Sequence, residues 1–205
     1  MIYLIVIFVI AGVWSVWGYF SSRVEQAEYS VLKKCRGYEV RKYPAHIVAE
    51  TTVVGEYREA LNQGFRIIAG YIFGDNASRT SVAMTAPVTE ARSESIAMTA
   101  PVASELMSGS RKISFVMPKR YTLATLPKPN DARVKLVSVP AENMAALRFS
   151  WSRSAARVEA KKAELLRRLA LDKVEVAGAP SYAGYNAPWT PPWMTRHEIL
   201  VPIKG

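Results

Sequence analysis

The hydrophobic and polar positions along the 205-residue chain fall into two periods. Tyr38–Val54 is rich in Val, Ile, Thr and Tyr and reads as extended strand, broken at Pro44 because proline cannot donate to a ladder. From Glu56 to Phe73 the rhythm changes. Leu61, Phe65, Ile68 and Ile72 recur at helical spacing, and Gly74-Asp75-Asn76 supplies a helix stop. Lys112–Met117 is a further short strand. Val134–Trp151 is extended again around Pro140. Arg153–Leu171 is a second helix with Val158, Leu165, Leu166 and Leu169 on its apolar face. Glu164 and Arg168 form an i,i+4 pair on its exposed side. His197–Ile203 is a last strand.

Two repeats organise these elements. Val82-Ala83-Met84-Thr85-Ala86-Pro87-Val88 recurs as Ile96-Ala97-Met98-Thr99-Ala100-Pro101-Val102. Each proline restricts its copy to a strand end or edge. On a larger scale, Tyr43-Pro44-Ala45 corresponds to Val139-Pro140-Ala141. Each half then runs strand, Pro-Ala, strand, amphipathic helix. This predicts an α+β domain with an internal pseudo-two-fold repeat, both helices lying on one curved antiparallel sheet. A cleft between the halves is the natural ligand site.

The first twenty residues, Met1–Phe20, contain no charge. As a helix they would span about 30 Å, the thickness of a bilayer's hydrocarbon core. Trp14, Trp17 and Tyr19 sit near one end, where aromatic rings favour the membrane boundary. The run is read as an uncleaved transmembrane helix, residues 1–20, giving a single-pass membrane placement with the side left open. A cleaved signal peptide is the competing reading. Residues 21–37 are a polar, mixed-charge connector, and residues 38–205 form the folded domain.

Composition narrows the chemistry. Lysine and arginine number 27 against 17 acids, a net charge of +10 that favours anionic partners. The basic residues are scattered, and those of the second helix alternate with Glu159 and Glu164. No recognition helix or zinc module appears, so nucleic acid is not an expected partner. The single cysteine, Cys35, excludes an internal disulfide framework. No hydrolase, metalloprotease, nucleotide-loop or dinucleotide motif is present, and no catalytic residue is assigned. His46 and His197 are the only imidazoles. His46 is the candidate metal ligand. The aromatic group Tyr182, Tyr185, Trp189 and Trp193 reads either as a loop covering the sheet or as one wall of a site for a flat apolar ligand.

Several longer motifs then point one way. Tyr38-Glu39-Val40-Arg41-Lys42-Tyr43-Pro44, Glu59-Ala60-Leu61, the doubled Met-Thr-Ala-Pro-Val and Gly184-Tyr185-Asn186-Ala187-Pro188 resemble the SOUL heme-binding protein family. Phe115-Val116-Met117-Pro118, Leu126-Pro127-Lys128-Pro129-Asn130 and Pro188-Trp189-Thr190-Pro191-Pro192 resemble its bacterial branch. The resemblance implies a twisted antiparallel β-barrel or sheet with two flanking helices. It also implies non-covalent, non-catalytic binding of heme or a related tetrapyrrole in an apolar cleft beside the first helix. Phe65, Ile68, Ile72, Met84, Met98, Tyr185, Trp189, Trp193 and Arg196 are the residues expected to form that site. Departures are visible too. The position where one branch has a proposed histidine ligand is Lys42, and the residue after Glu59-Ala60-Leu61 is Asn62, not a basic one. The late Arg-Arg-Asn-Glu run is Thr195-Arg196-His197-Glu198 here. Heme is therefore expected to bind chiefly through apolar contacts, without an indispensable axial histidine. The alternative is an interaction or small-amphiphile-sensing domain on the same fold. Oligomeric state is left open.

Overall fold

A computed structural model describes residues 14, 25–78, 94–107, 109–186 and 190–204. The strands are β1 (Glu25–Gln26), β2 (Ser30–Cys35), β3 (Tyr38–Tyr43), β4 (His46–Val54), β5 (Asn76–Ala77), β6 (Thr99–Ala100), β7 (Val102–Met107), β8 (Ser110–Val116), β9 (Lys128–Pro129), β10 (Lys135–Val139), β11 (Glu142–Phe149), β12 (Ser181–Gly184) and β13 (His197–Ile203). The helices are α1 (Tyr57–Ile72) and α2 (Ala155–Leu171). Both helices, and the strand breaks at Pro44 and Pro140, fall where the residue pattern places them. The stretch read as a connector, residues 21–37, instead contributes β1 and β2.

Nine strands form one antiparallel sheet in the order β10-β4-β8-β7-β12-β13-β11-β3-β2. β3 and β4 lie toward opposite ends of that order, yet only Pro44 and Ala45 join them. Two residues span a few ångströms, so the sheet must curl until its ends approach. The register shows how. Glu142 opposes Tyr43 in the β11–β3 ladder, and Val139 opposes His46 in the β10–β4 ladder. The two ladders share one register, interrupted only where the Pro-Ala pairs face each other. One long antiparallel ribbon thus joins the halves and curls the sheet into a half-barrel.

Each helix covers one half. Ala60, Ile68, Tyr71 and Ile72 of α1 pack on Ala49, Val53, Ile113 and Phe115. Val158, Leu165 and Leu169 of α2 pack on Leu147, Phe149, Ile199 and Val201. Leu166, expected on that apolar face, is 36% exposed. Lys162 takes a covered place instead, its stem lying along the core and its ammonium reaching Glu159 at 3.0 Å. The predicted Glu164–Arg168 pair forms at 2.8 Å. α1 ends at Gly74, whose φ of 124° lets Asp75 N–H reach back to the Gly70 carbonyl at 2.9 Å.

The N-terminal expectation is corrected. Among the described residues, no helix is long and apolar enough to cross a membrane, and the single-pass membrane placement is withdrawn on that finding. Residues 1–20, apart from Trp14, lie outside the described residues.

Candidate functional site

The Pro-Ala corner between β3 and β4 interrupts the ladder, and beside that interruption lies a cavity of about 170 Å³. Its wall is mostly apolar: Ala27, Pro44, Ala45, Ile47, Val116, Met117 and Pro118. Polar groups sit among them. Lys119 pairs with Glu28, and Thr99 donates its hydroxyl to the Val116 carbonyl. The Tyr121 hydroxyl donates to Glu94 at 2.6 Å. His46 lines the same cavity, with Nδ1 2.9 Å from the Pro44 carbonyl. A carbonyl only accepts, so Nδ1 carries a proton; in the neutral ring Nε2 then keeps a lone pair, the form in which an imidazole ligates metal. The pseudo-two-fold mate of His46 is Glu142, whose carboxyl burial pushes above its ordinary range, with the charge of His46 opposing. Among the described residues no cluster of three or more metal-ligating side chains exists.

The expected site residues separate into distinct places. Ile68 and Ile72 are fully covered in the core beneath α1. Phe65, on the same helix, is 37% exposed, its ring 5.4 Å from that of Phe115. Met98 is half-buried, one residue before the cavity-lining Thr99. Trp193 is exposed and meets Trp14 at 5.7 Å and Trp151 at 6.5 Å. Met84 and Trp189 lie outside the described residues.

Tyr185 and Arg196 do come together, in a charged cluster on the sheet face away from α2. Glu198 is fully buried at its centre. It accepts from Arg41 Nη1 at 2.7 Å, Arg196 Nε at 2.9 Å and the Tyr185 hydroxyl at 2.8 Å. Burial alone would raise its pKa, but the bonds and charge of Arg41, reinforced by Arg196 and Tyr185, hold it below the usual carboxylate range. Burial pushes the Tyr185 phenol up, and the Glu198 charge adds to that. Arg41 lies 4.2 Å over the Tyr29 ring and Arg196 4.0 Å over that of Tyr185. Every charge in this cluster has a partner within it. Arg41 is not among the residues that the sequence singles out for a site. The alternation along Tyr38–Tyr43 sets it on the same face as Tyr43, and that was the available signal.

His197 is buried and uses both ring nitrogens. Nε2–H donates to the Trp151 carbonyl at 3.2 Å, and Nδ1 accepts from the Tyr182 hydroxyl at 2.9 Å. Burial lowers its pKa, keeping it neutral. It has no lone pair to spare, which leaves His46 as the imidazole available to a ligand.

Comparisons place this geometry. The C-terminal domain of EcmrR has a similar fold, with a TM-score of 0.56 at 11% identity over 86% of this chain and 98% of that one. A structure described as a hydrolase from Listeria innocua gives 0.52 at 12% identity, over 84% and 94%. EcmrR in a DNA complex gives 0.53 at 10% identity, over 82% of this chain and 57% of that one. At such identities the likeness concerns the fold alone. No curated protein matches the sequence. The family model described as SOUL heme-binding protein matches residues 24–202. With nearly the whole described chain inside that match, and with the paired helices on a curled sheet, this protein belongs to the SOUL heme-binding protein family.

Proposed function

We propose that the chain is a non-catalytic module that binds heme or a related tetrapyrrole at the cavity beside the Pro44-Ala45 corner. Family membership supports the ligand class. The observation that carries the location is His46, the one imidazole with a free ring nitrogen, in the wall of an apolar cavity. The cavity, at about 170 Å³, is smaller than the roughly 300–1,000 Å³ of sites that enclose a ligand. The residues therefore fit a macrocycle held by one edge. Ile47, Val116, Met117 and Tyr121 supply apolar contact. Bound heme would bring an iron that takes a nitrogen ligand. His46 would be the residue to supply it, with the Pro44 carbonyl orienting the ring.

Titration with hemin and with metal-free porphyrin tests this reading. Both should bind, hemin about tenfold more tightly, the worth of one modest additional contact. His46→Ala should bring hemin to the level of the metal-free ligand and change its Soret spectrum without abolishing binding. Met117→Asp should weaken both. If neither ligand binds the folded protein at micromolar concentration, or if Met117→Asp leaves both affinities intact, the reading fails.

A further inference from the structure

The two helices begin near each other over a buried arginine that has no acid beside it. Arg111, on the helix-facing side of β8, is 8% exposed. Its guanidinium stacks 4.7 Å over the ring of Tyr57, the first residue of α1. Nη1 lies 3.4 Å from the Ser104 hydroxyl, a long and weak contact. Nε has no hydrogen-bond partner, and neither does the buried Tyr57 hydroxyl. Among the described residues no carboxylate pairs with Arg111. A buried cation without an acid is costly, and an orphaned donor beside it adds to that cost.

Basic groups gather here too, alongside the acids Glu56 at the N-cap and Glu59 in the first turn of α1. α1 has no side-chain cap: Glu56 occupies the N-cap position without turning its carboxylate onto the helix. The first amide protons of α1 therefore lack side-chain acceptors there, and the helix end carries partial positive charge. Arg153, just before α2, also acts electrostatically on Tyr57 and on Tyr182, and Arg157 acts with it on His197. The one acid that acts on Tyr57, Glu159, is held by Lys162.

We infer that Arg111, Tyr57 and the uncapped start of α1 form a binding site for a small oxyanion, a carboxylate or a phosphate group. Guanidinium Nε–H, phenol and helix amides are all donors, and an oxyanion is the acceptor that satisfies them together. None of these residues lines the His46 cavity, so the site stands or falls apart from tetrapyrrole binding.

The test is amide and guanidinium NMR on the full chain, titrated with inorganic phosphate and separately with acetate, against chloride at equal ionic strength. Saturable shifts are expected at the Tyr57, Arg58 and Glu59 amides and at Arg111 Nε–H. Saturation by phosphate alone assigns a phosphate-bearing ligand, by acetate alone a carboxylate. Tyr57→Phe keeps the stacked ring and should weaken binding about tenfold, the loss of one hydrogen bond to a charged group. Arg111→Gln should abolish the saturable shifts. Should that variant fail to fold, Tyr57→Phe and the wild-type Arg111 Nε–H resonance still decide. Shifts that do not saturate, or that chloride reproduces, overturn the proposal and leave the orphaned donors to water.

Discussion

Glu198 sets the terms at the residue scale. A fully buried carboxylate is tolerable only because Arg41, Arg196 and Tyr185 all donate to it. Removing one member leaves the others buried and uncompensated, which costs more than the pair itself contributes. Glu198→Ala should therefore lower stability by about 3–5 kcal/mol in urea unfolding. Combining it with Arg41→Met should recover part of that loss, since the stranded charge at that position is gone. A double variant no more stable than Glu198→Ala would mean that Arg41 is not what makes the single change costly. This cluster also marks where sequence reading stops. Tyr185 and Arg196 were legible as site candidates, while Glu198 stood only as the last residue of the late Thr195–Glu198 run. Arg41 lies far away in sequence, and nothing local says which strand it faces. Its role depends on β3 and β13 both lying beside β11, which no residue pattern specifies. Ile68 and Ile72 were legible as an apolar stripe, but periodicity does not separate a face that packs from a face that binds.

At the scale of single elements, α1 was readable because its stripe and its stop are local. What was not local is how closely it approaches the sheet. Gly64 lies on the sheet-facing side, and a Cβ there would stand 2.7 Å from Ile113 Cδ1 and 3.0 Å from Ile113 Cβ. Gly70, six residues on, would put its Cβ 3.9 Å from the nearest neighbour, Asp75. Both substitutions to alanine gain helix propensity, about 1 kcal/mol. Only the first must also displace a packed side chain, at roughly 1–3 kcal/mol. Gly64→Ala should thus destabilise by about 1 kcal/mol, while Gly70→Ala should be neutral or stabilising. Equal effects of the same sign in thermal unfolding would show that α1 does not press on Ile113. β2 illustrates the opposite case. Nearly all its residues are exposed, so Ser30–Cys35 shows no alternation to read, and its strand state comes from pairing with β3 alone.

The whole molecule is held by the ribbon that pairs β3–β4 with β10–β11. The opposed Pro-Ala pairs were visible in the sequence as a repeat. Their facing each other was not, because a repeat does not state which copy pairs with which. The ribbon has an energetic consequence. β11 is flanked on both sides, by β13 and β3, and Ala145, Ala146, Leu147 and Phe149 are buried. Its amides can exchange with solvent only when both halves separate, which is global unfolding. β2 ends the sheet, paired on one side and exposed on both faces, with a register irregularity between Val31 and Lys33. It can open while the rest stays folded. Native-state hydrogen exchange should therefore divide the molecule. The bonded amides of β11 should report the full unfolding free energy and a steep denaturant dependence, because their opening exposes the whole core. Those of β2 should exchange by a smaller opening that urea barely affects. If β2 and β11 share one free energy and one slope, the edge strand belongs to the same cooperative unit as the ribbon, and the sheet opens only as a whole.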